Sequence, residues 1–130
     1  MIKEGNFSKQ QPPRFVKIFG TIFVLAILTY LHFMKPPSIG IEGFVGIDKL
    51  AHLLMFFLTM IWFVNITPNP YWNVIGCLLV FFGLVLEWMQ MQFFPGRSFE
   101  WSDWFADFLG VVVSVSLWRF LINKLFNSTV

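Results

Sequence analysis

The chain has 130 residues, of which 57% are hydrophobic and 12% charged, and its formal net charge is +2. Soluble domains carry about 25% charged residues, and a globule this small cannot hide such an apolar excess from water. These numbers exclude an ordinary water-soluble domain, and the small net charge gives no electrostatic footprint for nucleic acid.

Residues 1–14 read as a polar tail, with Lys3, Lys9, Arg14 and the breaker pair Pro12-Pro13. The first apolar run covers 15–34 and carries Lys17 near its start, where a lysine can reach the interface. About 20 apolar residues cross a bilayer, so the run predicts a spanning helix. It is long for the apolar core of a cleaved signal peptide and lacks a small-x-small cleavage site. Lys35-Pro36-Pro37 ends it, and residues 38–47 form a glycine-rich loop too short to span. The second run, 48–66, opens on Asp48-Lys49, and Thr67-Pro68-Asn69-Pro70 predicts a tight turn. The third run, 71–94, is broken by Pro95-Gly96, and the fourth covers 104–122 or a little beyond. Residues 127–130 are a short polar tail. Cys77 lies inside the third run and reads as a small packed hydrophobe. The fold class is thus all-α and integral to a membrane: one four-helix transmembrane domain over 15–126.

Loop charges set the orientation. With four spans, both termini and the central turn share one side. That side carries Lys3, Lys9, Arg14, Lys17, Arg119 and Lys124, whereas the other carries Lys35, Lys49 and Arg97. The positive-inside rule therefore places both termini in the cytoplasm and the first and third loops outside.

Ionisable residues within apolar helices are costly and default to functional candidates. Here they gather at the outward helix ends: Asp48, Lys49 and His52 in the second run, Glu87 and Gln90 in the third, and Arg97, Glu100, Asp103 and Asp107 around the start of the fourth. Spacings of three or four put Asp48 with His52, Glu87 with Gln90, and Asp103 with Asp107 on shared helix faces. Gly110 continues the last stripe and leaves room for a neighbouring helix. At about 1.5 Å per residue, His52 and Asp107 lie about 6 Å below their outermost partners, so three helices bring polar groups to a similar depth. His52, Glu87 and Asp107 are the candidate catalytic residues. Asp48, Lys49, Gln90, Arg97 and Asp103 are the candidate ligand-binding residues. The five acids exceed Lys49 and Arg97 by three charges, an excess that calls for protonation or a cationic partner. A divalent metal held by His52, Glu87 and one aspartate is one such partner, although no H-x-x-x-H or C-x-x-C spacing points to it.

At these positions the chain resembles the VanZ-like family of small bacterial membrane proteins. The pattern is Asp-Lys-x-x-His at Asp48, Lys49 and His52, Glu-x-x-Gln at Glu87 and Gln90, and Arg97 after a short break. It closes with Asp103, Asp107 and Gly110, where the family's Asp-x-x-x-Asn-x-x-Gly has Asn at the position of Asp107. The match covers residues 48–110 in order. The resemblance implies a multi-pass protein of the bacterial cytoplasmic (inner) membrane, acting at the cell envelope. The family is named for a protein associated with resistance to the glycopeptide teicoplanin, but membership by itself does not transfer that activity.

Two functions compete on this pattern. One is a non-catalytic protein holding a lipid headgroup or cell-envelope ligand in an outward-facing polar cleft. The other is an envelope enzyme using His52 and Glu87 for acid–base chemistry on a lipid-linked substrate, with Lys49 and Arg97 holding a phosphate. Ser98 and Ser102 lie in no recognisable nucleophile motif. A buried network that fixes helix register is the structural alternative. Transport is disfavoured because the acids stop in the outer half.

Overall fold

The computed structural model describes residues 11–34 and 46–127. Most of the N-terminal tail and of the 38–47 loop lies outside them. Four helices follow in order: α1 (Arg14–Phe33), α2 (Ile47–Ile66), α3 (Trp72–Phe93) and α4 (Trp101–Asn127). A single 3-10 turn, Asn69–Tyr71, leads into α3. Each of the four is long and apolar enough to cross a membrane; twenty residues at about 1.5 Å each reach about 30 Å, the hydrocarbon thickness.

The helix ends follow local chemistry. Thr67 closes α2 by donating its backbone N–H to Phe63 O at 3.0 Å, and Pro68 cannot extend the helix. After α3, Phe94-Pro95-Gly96-Arg97 forms a reverse turn. Gly96 has φ +83°, and Arg97 N donates to Phe94 O at 3.2 Å, the pattern of a type II turn with Pro second and Gly third. The fourth helix differs most from the sequence expectation. It starts at Trp101 instead of 104 and includes Asn127, assigned above to the tail. Glu100 O accepts from the N–H groups of Asp103 (3.1 Å) and Trp104 (3.3 Å), and the acidic Asp103 in the first turn favours the positive end of the helix dipole.

Polar contacts fix the relative directions. His32 near the end of α1, His52 near the start of α2, Glu87 near the end of α3 and Asp107 near the start of α4 lie within one cluster. The helices therefore run alternately up and down. Helix α2 is central and closest to α4, where Gly110 faces the Leu53 carbonyl with no room for a Cβ. Trp62 Nε1 donates to Thr21 Oγ1 at 3.1 Å and ties α2 to α1. The apolar core begins one turn from the cluster, at Leu28, Phe56 and Val111, and continues toward the other end through Met60 and Val64.

The outside is as apolar as the inside. Phe15, Phe19, Ile22 and Phe23 on α1 are each at least 60% exposed, and large apolar side chains are exposed on the other helices as well. A monomer in water does not carry patches of this extent; hydrocarbon is the solvent that accepts them. Cys77 belongs to this exterior, on the outer face of α3 and not packed as the sequence suggested.

Candidate functional site

Four buried side chains form the centre of the polar cluster: His32, His52, Glu87 and Asp107, none more than 4% exposed. His52 Nδ1 lies 3.0 Å from Asp107 Oδ1 and 3.9 Å from Glu87 Oε1. His32 Nε2 lies 3.3 Å from the same Glu87 oxygen. The two imidazoles meet edge to face, with centroids 4.8 Å apart. Sequence spacing places His52, Glu87 and Asp107 at one level, and in the structure His52 reaches both carboxylates.

His32 was missed. It sits one residue from the end of α1, inside the first apolar run. A signal was available, since a histidine within a span is subject to the same cost argument as the others. Its helix end also lies on the same side as the starts of α2 and α4.

The expected ligand-binding residues divide into three groups. Lys49 is engaged with acids: its Nζ lies 3.0 Å from Asp103 Oδ1 and 3.5 Å from Glu100 Oε2, a bridge across α2 and α4 at the rim. Gln90 and Arg97 serve the end of α1. The buried Gln90 amide donates to His32 O, and Arg97 Nη2 donates to Met34 O at 3.2 Å. The last carbonyls of a helix lack intrahelical donors, and α3 with its following turn supplies them. Gln90 thereby fixes the backbone that carries His32. Asp48 stays partly exposed at the mouth, within reach of His52 and Asp103.

A cavity of about 590 Å³ opens between α1 and α2. Its walls are apolar, with Val24, Ile27, Leu31, Leu54 and Leu58 among them, and Asp48, His32, His52 and Arg97 lie at one end. It is an amphipathic groove: hydrocarbon-like along its length and ionisable where the cluster meets it.

Compared with known proteins, the chain matches no family model, no curated protein and no solved structure.

Proposed function

We propose that this chain is a VanZ-like protein of the bacterial cytoplasmic membrane, with both termini in the cytoplasm, that binds an amphiphilic cell-envelope ligand. The headgroup sits against Arg97, Asp48 and His52, and the acyl portion lies in the groove between α1 and α2. The observation that carries this reading is the groove: apolar walls ending in ionisable side chains complement a molecule that is itself half hydrocarbon and half polar. Arg97 has guanidinium donors beyond the one given to Met34, as a phosphate or carboxylate headgroup requires. The motif order from Asp48 to Gly110 supports the family assignment on spacing alone.

The test is lipid mass spectrometry on protein purified in mild detergent. One lipid class should be retained above its share of the membrane, and Ala51→Trp, which fills the groove, should reduce its retention severalfold. Retention that mirrors bulk lipid, unchanged by Ala51→Trp, defeats the proposal. A strain lacking the gene then tests the link to glycopeptides: altered teicoplanin susceptibility, restored by wild type but not by Ala51→Trp, supports it.

A second reading, an envelope enzyme, is favoured by one contact. His52 Nδ1 is held at 3.0 Å by a buried aspartate, as a general base is oriented by a carboxylate. If His52→Gln abolishes turnover of the retained lipid while the lipid stays bound, the enzyme reading replaces simple binding. Transport through a monomer finds little support: among the described residues the core beyond the cluster is mainly apolar.

A further inference from the structure

The four buried groups at the head of the groove are poorly satisfied by one another. Both ring nitrogens of His32, Glu87 Oε1 and Asp107 Oδ2 are buried without a hydrogen-bond partner. His32 Nε2 and Glu87 Oε1 approach to 3.3 Å, yet lack the alignment of a hydrogen bond. Polar atoms orphaned at this burial are destabilising unless something else meets them.

We propose that His32, His52 and Glu87 form a binding site for a first-row divalent cation of the zinc class. One ligand atom from each lies within 4.8 Å of the other two, and all three residues are buried. Two donors on one tetrahedral zinc, with bonds of about 2.0–2.1 Å, stand about 3.3 Å apart. The His32–Glu87 separation of 3.3 Å already matches, and the 3.9 Å between His52 and Glu87 needs a small imidazole rotation. Two imidazoles and a carboxylate form the donor set of catalytic zinc sites, in which a fourth position stays open. Harder ions such as magnesium prefer all-oxygen shells.

Charge agrees with geometry. Glu87 and Asp107 place two carboxylates around the two imidazoles, and a divalent ion neutralises both. Asp107 lies outside the group of three, and its 3.0 Å partner is the same Nδ1 that faces Glu87; as the imidazole turns to give Nδ1 to the ion it leaves Asp107, whose carboxylate stays close by as a countercharge. Gln90 anchors the His32 backbone from the other side. The groove gives the ion an approach, because His32 and His52 both line it. His52 also belongs to a competing group with Asp48 and Asp103. In that group Asp103 is already bound by Lys49 at 3.0 Å, whose positive charge opposes a cation.

The inference goes beyond lipid binding and is tested without lipid. The full chain, carrying Cys77→Ser to remove the exposed thiol, is purified in detergent, incubated with Zn²⁺ alone, desalted and assayed for metal by mass spectrometry. It should retain about one zinc per chain. Glu87→Gln should weaken zinc binding at least about tenfold, because it removes a ligating carboxylate, and Asp48→Asn should leave it unchanged. Because His32→Ala risks misfolding, His32→Cys is loaded with Co²⁺ instead. A thiolate-to-cobalt charge-transfer band absent from the parent places residue 32 in the coordination shell. The proposal is overturned if the parent retains no zinc, if Asp48→Asn loses it, or if His32→Cys gives no such band. A chain that takes up zinc but selects no lipid keeps this inference and loses the reading above; the reverse result does the opposite.

Discussion

Gln90 illustrates how a polar side chain in a membrane helix can act on the site without belonging to its reacting face. Its amide donates to the His32 carbonyl, so it satisfies the end of α1 and fixes the position of an imidazole at the same time. Gln90→Leu keeps approximate volume but leaves that carbonyl buried and unpaired, a loss of about 1–3 kcal/mol. The variant should melt several degrees lower in detergent and bind zinc more weakly. An unchanged melting temperature would remove Gln90 from this role. Asp107→Ala should also destabilise. It removes the hydrogen-bonding partner of the buried His52 Nδ1, a change that costs about 1–3 kcal/mol, and should lower the yield of folded protein on size-exclusion chromatography more than Asp107→Asn does. Equal yields from the two would mean that the contact to His52 Nδ1 contributes little. The residue scale was only partly legible in the sequence. Periodicity and depth brought His52, Glu87 and Asp107 together, because helical spacing is a strong geometric constraint. It could not reveal that Gln90 and Arg97 point at backbone, since which side chain meets an unpaired helix carbonyl depends on how two helices sit side by side. His32 falls outside the charge pattern because a histidine carries no fixed charge and sits in an apolar run.

At the scale of elements, the close contact between α2 and α4 sets the distance between His52 and Asp107. A Cβ at position 110 would collide with the Leu53 carbonyl and press on Phe57 N at 3.0 Å. Both are backbone atoms, so neither can rotate away. Gly110→Ala should push the helices apart, destabilise the bundle by about 1–3 kcal/mol and lengthen the His52–Asp107 contact. Gly20 is the control. A Cβ there meets only the ring of Trp62, a side chain that can move, so Gly20→Ala should have the smaller effect on thermal unfolding. If both variants melt alike, backbone contact at Gly110 is not what holds α2 to α4. The sequence marked Gly110 as a place for close approach because it continues the Asp103–Asp107 stripe, but not which helix would take it. The bounds of α1, α2 and α3 were legible to within one residue. Neither end of α4 was: it starts at Trp101 and runs past the polar Asn123-Lys124 to Asn127. Trp101, Ser102 and Asp103 look like loop by hydropathy, yet Glu100 O and the helix dipole draw them into the first turn.

At the scale of the molecule, the polar cluster at one end makes orientation a functional question. Different groups mark the two ends. The cluster end holds the Lys49–Asp103 bridge, Arg97 and the exposed Trp101. The opposite end holds Arg119, whose guanidinium donates to Asn69 Oδ1 at 3.4 Å and Asn73 Oδ1 at 2.9 Å and lies 5.9 Å from the Trp72 ring centroid. That end also carries Lys17, which reaches back to Gln11 at 2.9 Å. Basic residues retained in the cytoplasm outweigh acids in setting topology, so the proposed orientation puts the end with Lys17, Arg119 and Lys124 in the cytoplasm and the cluster at the outer leaflet. A reporter active only in the cytoplasm should work at either terminus or after Asn69, and fail when inserted after Gly96. A cysteine introduced at Ser98 in the Cys77→Ser background should react with a membrane-impermeant maleimide added to whole cells. Replacing Lys3, Lys9 and Lys17 by glutamine should weaken the bias and yield a population with mixed reporter signals. Activity of the Gly96 insertion together with silent termini would invert the molecule. The groove and the metal site would then face the cytoplasm, and their ligand would have to be sought there.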